Sequence, residues 1–494
     1  MQTLIERAHA RRPADTAAEH LELRRRMARP QRHRLLHGYP LAAAMPRRDD
    51  SGDGDRLDYR PDRGLLIGVL PHPFCNPAVA GCGFCTFPHE AFSGRKAEAV
   101  VDRVIREIDR RVQGSPAMAR RRVAGLYFGG GTANLTPPRP FRDLCRALSR
   151  AFDLSEAEVT LEGVPAAFVN RKPSLADILV EELAARHYRL SMGIQTFDLD
   201  QLRRMGRLGF GDANTFAEVV RLAHQRGFTA SADLLFNLPG QSLHAMRTDV
   251  RRAVDLGLDH LGLYHLVMFP GLGTAWSRDP ALVASLPPNE IAAENWRDLR
   301  GFLEGCGFYQ ATLTNFERQE HRDRDRRFVY EEFSFRPESH DMIGFGPGGI
   351  SFAQHGDRAV KWMNPDGSSV YATAVDRGEP IHDRAFSYGP DDLRILYMTR
   401  HLAALRIDRA VYRDRFGSDP ISDFPAQFAA LENERLVTVD SGAIRPTVRG
   451  MFYADSVASL LARRRLGRES IAGLGPTVTP IDASKQHDNA FGHM

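Results

Sequence analysis

The sequence predicts an α/β fold: a parallel sheet curled into a partial, six-unit (β/α) barrel of TIM-like type, followed by a small helical domain. Three observations carry this. Six short apolar runs succeed one another at 65–70, 125–128, 159–164, 190–195, 232–236 and 261–266. Amphipathic helical patterns separate them. Repeated strand–helix units build a parallel sheet, and a barrel of such units places its site at the strands' C-terminal ends.

Residues 1–60 are polar and Arg-rich, interrupted by Leu35-Leu36-His37-Gly38-Tyr39-Pro40-Leu41-Ala42, and read as an N-terminal extension. The barrel core is expected over 61–300. One of its helices carries Val101, Val104, Ile105, Ile108 and Val112 on a single face. Another carries Phe216, Val219, Val220 and Ala223 and is closed by Gly227. After Pro287-Pro288 the periodicity weakens. Residues 301–385 read as a region covering the substrate, with a mixed-charge stretch at 317–327 and a glycine-rich one at 341–351. Residues 386–465 read as a small helical domain of winged-helix type, and 466–494 as a disordered tail.

Composition narrows the function classes. A net charge of +4 over 494 residues, with no basic–aromatic platform, argues against nucleic acid. The basic residues are nearly all Arg, with Lys only at 96, 172, 361 and 485, which reads as codon bias rather than a binding surface. No apolar run is long enough to cross a bilayer, and residues 1–36 do not read as a secretory signal. Five cysteines, three of them clustered, do not make a disulfide framework, so a cytoplasmic setting is expected.

Those three, Cys75, Cys82 and Cys85, fall within eleven residues at the end of the first strand. Three thiolates can hold three corners of a [4Fe–4S] cubane and leave the fourth iron open to a substrate or cofactor. A structural zinc ion is the alternative, with His72 or His89 as fourth ligand. Cys145 and Cys306 read as small apolar residues in or beside helices, not as ligands. At the end of the second strand, Phe128-Gly129-Gly130-Gly131-Thr132 lets the backbone approach a ligand closely and point N–H groups at it.

Taken in order, the cysteine loop, Tyr127-Phe128-Gly129-Gly130-Gly131-Thr132, Glu162, residues 192–197 (Met-Gly-Ile-Gln-Thr-Phe), Met205-Gly206-Arg207, residues 233–241 and residues 344–349 resemble the HemN-like branch of the radical S-adenosylmethionine (SAM) enzymes. The resemblance runs from about 62 to about 460. It implies a [4Fe–4S] cluster on Cys75, Cys82 and Cys85, with the amino and carboxylate groups of SAM on the fourth iron. It also implies that Gly130, Gly131 and Thr132 hold the methionine end of SAM, and that Glu162, Gln195, Arg207 and Asp233 contact SAM. Arg207 suits a carboxylate, and the two acids suit an amine or ribose hydroxyls. Without the resemblance, Glu162 and Asp233 at strand ends have loop caps as their alternative reading.

Three departures from the family pattern stand out. Six residues, not three, separate Cys75 from Cys82. Val69 and Pro71 occupy places that often hold a Tyr and a His, and Ala133 replaces a Pro. Beyond these three, the N-terminal porphyrinogen signature is only partly echoed by His37-Gly38-Tyr39-Pro40. On these departures the expected reaction is methyl or methylene transfer (C-methylation or cyclopropanation) to an sp² carbon in specialised metabolism. The alternatives are oxygen-independent coproporphyrinogen III decarboxylation, other haem or porphyrin chemistry, or a haem-binding chaperone. The expected partners are a small-molecule substrate and an electron donor such as flavodoxin or ferredoxin, with no nucleic acid and no membrane.

Overall fold

All six sequence-predicted strands form, and they lie side by side as neighbours in one sheet. The structure, a computed structural model, describes residues 13–31, 39–47, 59–118 and 121–463. The His37-Gly38 echo and the 466–494 tail lie outside the described residues.

The strands, in chain order, are β1 (Gly64–Val69), β2 (Phe74–Cys75), β3 (Glu90–Ala91), β4 (Gly125–Phe128), β5 (Glu158–Gly163), β6 (His187–Gln195), β7 (Thr229–Phe236), β8 (His260–His265), β9 (Phe308–Gln310), β10 (Asn315–Arg318), β11 (His340–Phe345), β12 (Ile350–His355), β13 (Arg358–Met363), β14 (Arg384–Tyr388), β15 (Ile407–Asp408), β16 (Val437–Val439) and β17 (Ala443–Pro446). Twelve of them make one sheet, ordered β14-β13-β12-β11-β1-β4-β5-β6-β7-β8-β10-β9. From β1 to β8 its six strands run parallel. A seventh parallel strand, β11, joins β1 on the other side. Residues 308–388 therefore extend the sheet at both ends, with antiparallel β9 and β10 at one edge and β12–β14 at the other.

Helices cover the outer face. Helix Gly94–Gly114 buries Val101, Val104 and Ile108, and helix Ala213–Gln225 buries Phe216, Val219, Val220 and Ala223. Strands buried on both faces read as near-continuous apolar runs, which is why β1 was legible. A short helix, Val329–Ser334, sits against the inner face. Room for its Tyr330 comes from two glycines. A Cβ on Gly68 would lie 2.9 Å from Tyr330 Oη, and one on Gly125 would lie 3.1 Å from Tyr330 Cα.

Residues beyond 390 form helices Pro390–Ala403, Arg409–Phe416 and Pro425–Asn433 with a three-stranded antiparallel sheet, β15-β17-β16. The N-terminal helix Pro13–Met27 packs on this region. Its His20 and Arg24 both reach Glu434 at 2.6 Å, and its Glu19 accepts from Gln427 and Arg463. No helix among the described residues is long and apolar enough to cross a membrane.

Candidate radical SAM site

The cysteine loop begins where β1 ends. Leu70 N donates to Phe345 O at 2.9 Å, and the chain then enters the two-residue strand β2, which pairs with β3. Asn76, 4% exposed, organises the residues between Cys75 and Cys82. Its Oδ1 accepts from Ala78 N at 2.8 Å and Val79 N at 3.4 Å. Its Nδ2 donates to Met205 O at 3.1 Å and Gly206 O at 3.2 Å. This is how the longer spacing is accommodated: the extra residues fold over Gly206, where a Cβ would meet Val79 Cγ2 at 2.6 Å.

Gly81, Cys82 and Gly83 then take φ of 57°, 50° and 83°, three left-handed residues in succession. Such a conformation costs a non-glycine residue about 1–2 kcal/mol. Here Cys82 N bonds to Val79 O at 3.0 Å and Cys85 N to Gly81 O at 2.7 Å. Gly83 tolerates no side chain, because a Cβ would sit 2.1 Å from Trp276 Nε1.

Hydrogen-bond donors converge on the sulfurs. Thr132 Oγ1 lies 3.0 Å from Cys75 Sγ. Arg207 Nη1 donates to Cys82 Sγ at 3.4 Å, and Asn76 Nδ2 lies 3.5 Å from the same sulfur. Burial pushes the Cys75 thiol up, and the Thr132 hydroxyl pulls it back. Cys82 is buried, whereas Cys75 and Cys85 are partly exposed. Thiolates on one loop, two of them met by hydrogen-bond donors, fit a thiolate-held cluster. Among the described residues no three His, Cys, Asp or Glu side chains gather round a single metal position.

Neither histidine of the zinc alternative joins the thiols. His72 is buried beside Phe74 and Phe92, its ring centroid 5.5 and 6.2 Å from theirs, and held neutral with its pKa lowered to about 4 by burial and then by Arg171. His89 is exposed, and its Nδ1 lies 2.8 Å from Phe87 O. Cys145 is buried in helix Pro138–Ala151, and Cys306 follows helix Asn289–Gly305.

The glycine turn after β4 presses against the cysteine strand. Thr132 N donates to Phe74 O at 3.1 Å. A Cβ on Gly131, whose φ is +47°, would lie 2.7 Å from His72 O and from Pro73 C, and 2.9 Å from Phe74 O. One turn thus holds both Thr132 and the strand that presents Cys75.

The remaining residues named from the sequence lie across β5, β6 and β7. Glu162 accepts from Tyr127 Oη at 2.9 Å. Gln195, at φ +70°, closes the register break between Gly193 and Gln195. Arg207 donates to Gly193 O, and Gly193 pairs with Asp233 across the strands. Asp233 has Gly262 as its other neighbour, where a Cβ would meet Asp233 Oδ1 at 2.5 Å. Burial, then the charge of Glu162, pushes Asp233 up to about 7. Burial also raises Glu162, against the Tyr127 hydrogen bond. Two acids and one guanidinium side by side can receive an amine or sulfonium together with a carboxylate.

Two supports of this site go beyond the sequence reading: Asn76, which had no signal of its own, and Tyr127, whose motif was named but whose hydrogen bond to Glu162 was not. A third, Asn134, bridges Val164 N and O at 3.0 and 2.9 Å; a Cβ on Gly163 would meet it at 1.9 Å.

With that geometry in view, the class is defined: residues 69–253 match the Radical SAM superfamily model, and the chain carries a radical SAM domain. A [4Fe–4S] cluster and SAM are the cofactors of that superfamily. Within it, the relatives are HemN-like. The chain is 27% identical over 309 residues to the mitochondrial radical S-adenosyl methionine domain-containing protein 1 of Danio rerio, covering 62% of this chain and 64% of that one. It is 27% identical to the heme chaperone HemW of Escherichia coli (strain K12), over 67% of this chain and 76% of that one. The structure of the E. coli coproporphyrinogen III oxidase HemN superposes with a TM-score of 0.66 at 22% identity, over 82% of this chain and 91% of that one, and shows the same fold. The chain spans 60–64% of the length of the first curated relatives it matches.

Proposed function

We propose that Cys75, Cys82 and Cys85 hold a [4Fe–4S] cluster, and that Gly130, Gly131, Thr132, Glu162, Gln195, Arg207 and Asp233 hold SAM beside it. The observation that carries this reading is the convergence of Thr132, Asn76 and Arg207 on the cysteine sulfurs. When bound and reduced, such a cluster supplies the electron that cleaves SAM to methionine and a 5′-deoxyadenosyl radical. The chain's own part is to bind, orient and shield. Arg207 is shared between the Cys82 sulfur and the ligand side of β6. Glu162 and Asp233 offer acceptors to cationic groups. A flavodoxin- or ferredoxin-type carrier would deliver the electron.

For the substrate class we propose a tetrapyrrole or its precursor. Relatives named as heme chaperone and as oxygen-independent coproporphyrinogen III oxidase support this. Methyl or methylene transfer is the second reading. Its support is the merely partial porphyrinogen signature at His37-Gly38-Tyr39-Pro40, with the cysteine spacing and Ala133; Val69, in the place of the family's usual Tyr, counts against it by removing a contact for a second SAM.

The test is anaerobic reconstitution with a reductant, SAM, and either coproporphyrinogen III or haem, followed by mass analysis. 5′-Deoxyadenosine with loss of carbon dioxide, or with ring modification of haem, supports tetrapyrrole chemistry. Deuterium from methyl-labelled SAM in a product supports one-carbon transfer. Tight haem binding with little 5′-deoxyadenosine supports the chaperone class. Absence of SAM cleavage, SAM binding and haem binding alike would overturn the proposal.

A further inference from the structure

Two cations sit on the inner face of the sheet without a carboxylate partner. Lys361 on β13 is 5% exposed, and its Nζ donates to Pro40 O at 2.8 Å. Arg400, on helix Pro390–Ala403, is partly exposed; its guanidinium carbon stands 5.9 Å from the Phe335 ring centroid, and its buried Nε has no hydrogen-bond partner. Among the described residues neither forms an ion pair. Asp392, on the same helix as Arg400, accepts from Tyr39 Oη at 2.8 Å and from Gly389 N at 3.1 Å. Burial, then the charge of Arg400, lowers Lys361 to about 7; burial lowers Arg400 to about 10, against nearby Tyr388 and Tyr330.

The register fixes which way Lys361 points. Cross-strand partners project to the same face of a sheet. Gly125, Leu66, Met342, Phe352, Lys361 and Phe386 are successive partners from β4 to β14. Gly125 is packed against Tyr330, so this whole row faces the inner helix. The same face carries Glu162. Tyr127 donates to it at 2.9 Å, and the Tyr127 ring lies 5.1 Å from the Tyr330 ring. Tyr330 in turn lies within the field of Arg400. Thus a continuous inner surface joins the SAM-side acid to the two cations, and Tyr330, Phe352 and Phe386 on it are partly exposed.

A buried charge without a partner is costly, and natural interiors pair such charges or use them on a ligand. We propose that Lys361 and Arg400 receive a carboxylate of the substrate inside the barrel, and that the flanking aromatic side chains receive a flat, conjugated body. The substrate class is a carboxylate-bearing planar molecule. This rests on the tetrapyrrole reading for its natural ligand, although the receptor itself is defined by charge and shape.

The test is fluorescence or absorbance titration of the full-length, anaerobically reconstituted protein with two acid–ester pairs: coproporphyrin III against its tetramethyl ester, and 1-pyrenebutyrate against its methyl ester. Wild type should prefer the acid by about tenfold or more, the usual size of a charge-assisted bond in a shielded site. Lys361→Met and Arg400→Met should each shrink that preference, and Arg400→Lys should restore part of it. SAM affinity and iron content should stay unchanged in all three variants. Arg400→Met should leave the ligand-free melting temperature unchanged or higher, because the guanidinium it removes has no carboxylate partner to lose. A preference confined to the pyrene pair and lost in the variants upholds the receptor and counts against the tetrapyrrole reading. Absence of any acid preference in wild type, or a preference that survives both Met substitutions, overturns the receptor.

Discussion

Asp233→Asn tests the electrostatics of the SAM side most sharply, because it keeps shape and removes one charge. The Asp233 carboxyl is pushed from 3.8 up to about 7, first by burial and then by Glu162, against Arg189 and Arg207. That is about three pH units, or ~4 kcal/mol in favour of the neutral form at most. Between about pH 4 and 7 the folded protein holds a proton that the unfolded chain has lost, so ligand-free stability falls as pH rises through that window. From pH 6 to 7 this one group accounts for ~1 kcal/mol. Binding runs the other way. A cationic group of SAM needs the carboxylate, so SAM affinity should weaken as pH falls below about 7, by up to about tenfold per unit. Two assays check this: denaturant unfolding of ligand-free protein at pH 6 and 7, and calorimetric SAM titration from pH 6 to 8. Asp233→Asn should flatten both slopes and bind SAM weakly throughout. Equal pH slopes in variant and wild type would refute the reasoning.

Replacing Cys75, Cys82 or Cys85 with Ala should abolish cluster loading and SAM cleavage, while Cys145→Ala and Cys306→Ala should leave iron content as in wild type; iron analysis decides. Gly131→Ala should displace the cysteine strand, because its Cβ would meet three backbone atoms of residues 72–74 within 2.9 Å, so reconstituted iron should drop sharply. Undiminished loading would show that the turn does not set the cluster loop. Tyr127→Phe removes the donor at 2.9 Å from Glu162 and should weaken SAM binding by about three- to tenfold, more at lower pH, since Glu162 then holds its proton more readily. An unchanged dissociation constant would separate Glu162 from SAM.

Much of the barrel was legible because its strands are buried on both faces and its helices carry one apolar stripe, and both patterns are local. β1 and β4 are near-continuous apolar runs. The glycine turn was legible through its place, at the end of the second strand of a barrel whose first strand leads into the cysteines. β11 carries no local signature of a parallel strand. Its sequence, His-Asp-Met-Ile-Gly-Phe, is short and polar at one end, and its partner β1 lies far away in the chain. Tyr330 was invisible for a related reason: the space that admits it is made by Gly68 and Gly125, more than two hundred residues away. Asn76 looked like an ordinary loop residue, although its amide ties the long cysteine spacing to Met205 and Gly206. Local pattern thus singled out the cysteine cluster and the glycine turn, the resemblance alone proposed Glu162, Gln195, Arg207 and Asp233, and long-range packing determined which neighbours support them.

On the proposed reading, the thiols of Cys75, Cys82 and Cys85 hold a cluster whose open iron meets SAM. Electron paramagnetic resonance of the anaerobically reconstituted, reduced protein, recorded with and without SAM, tests it directly. The expected result is a [4Fe–4S]⁺ signal that shifts when SAM is added and is absent from the variant with all three cysteines changed to Ala. A signal indifferent to SAM, or one that persists in the triple variant, would contradict it.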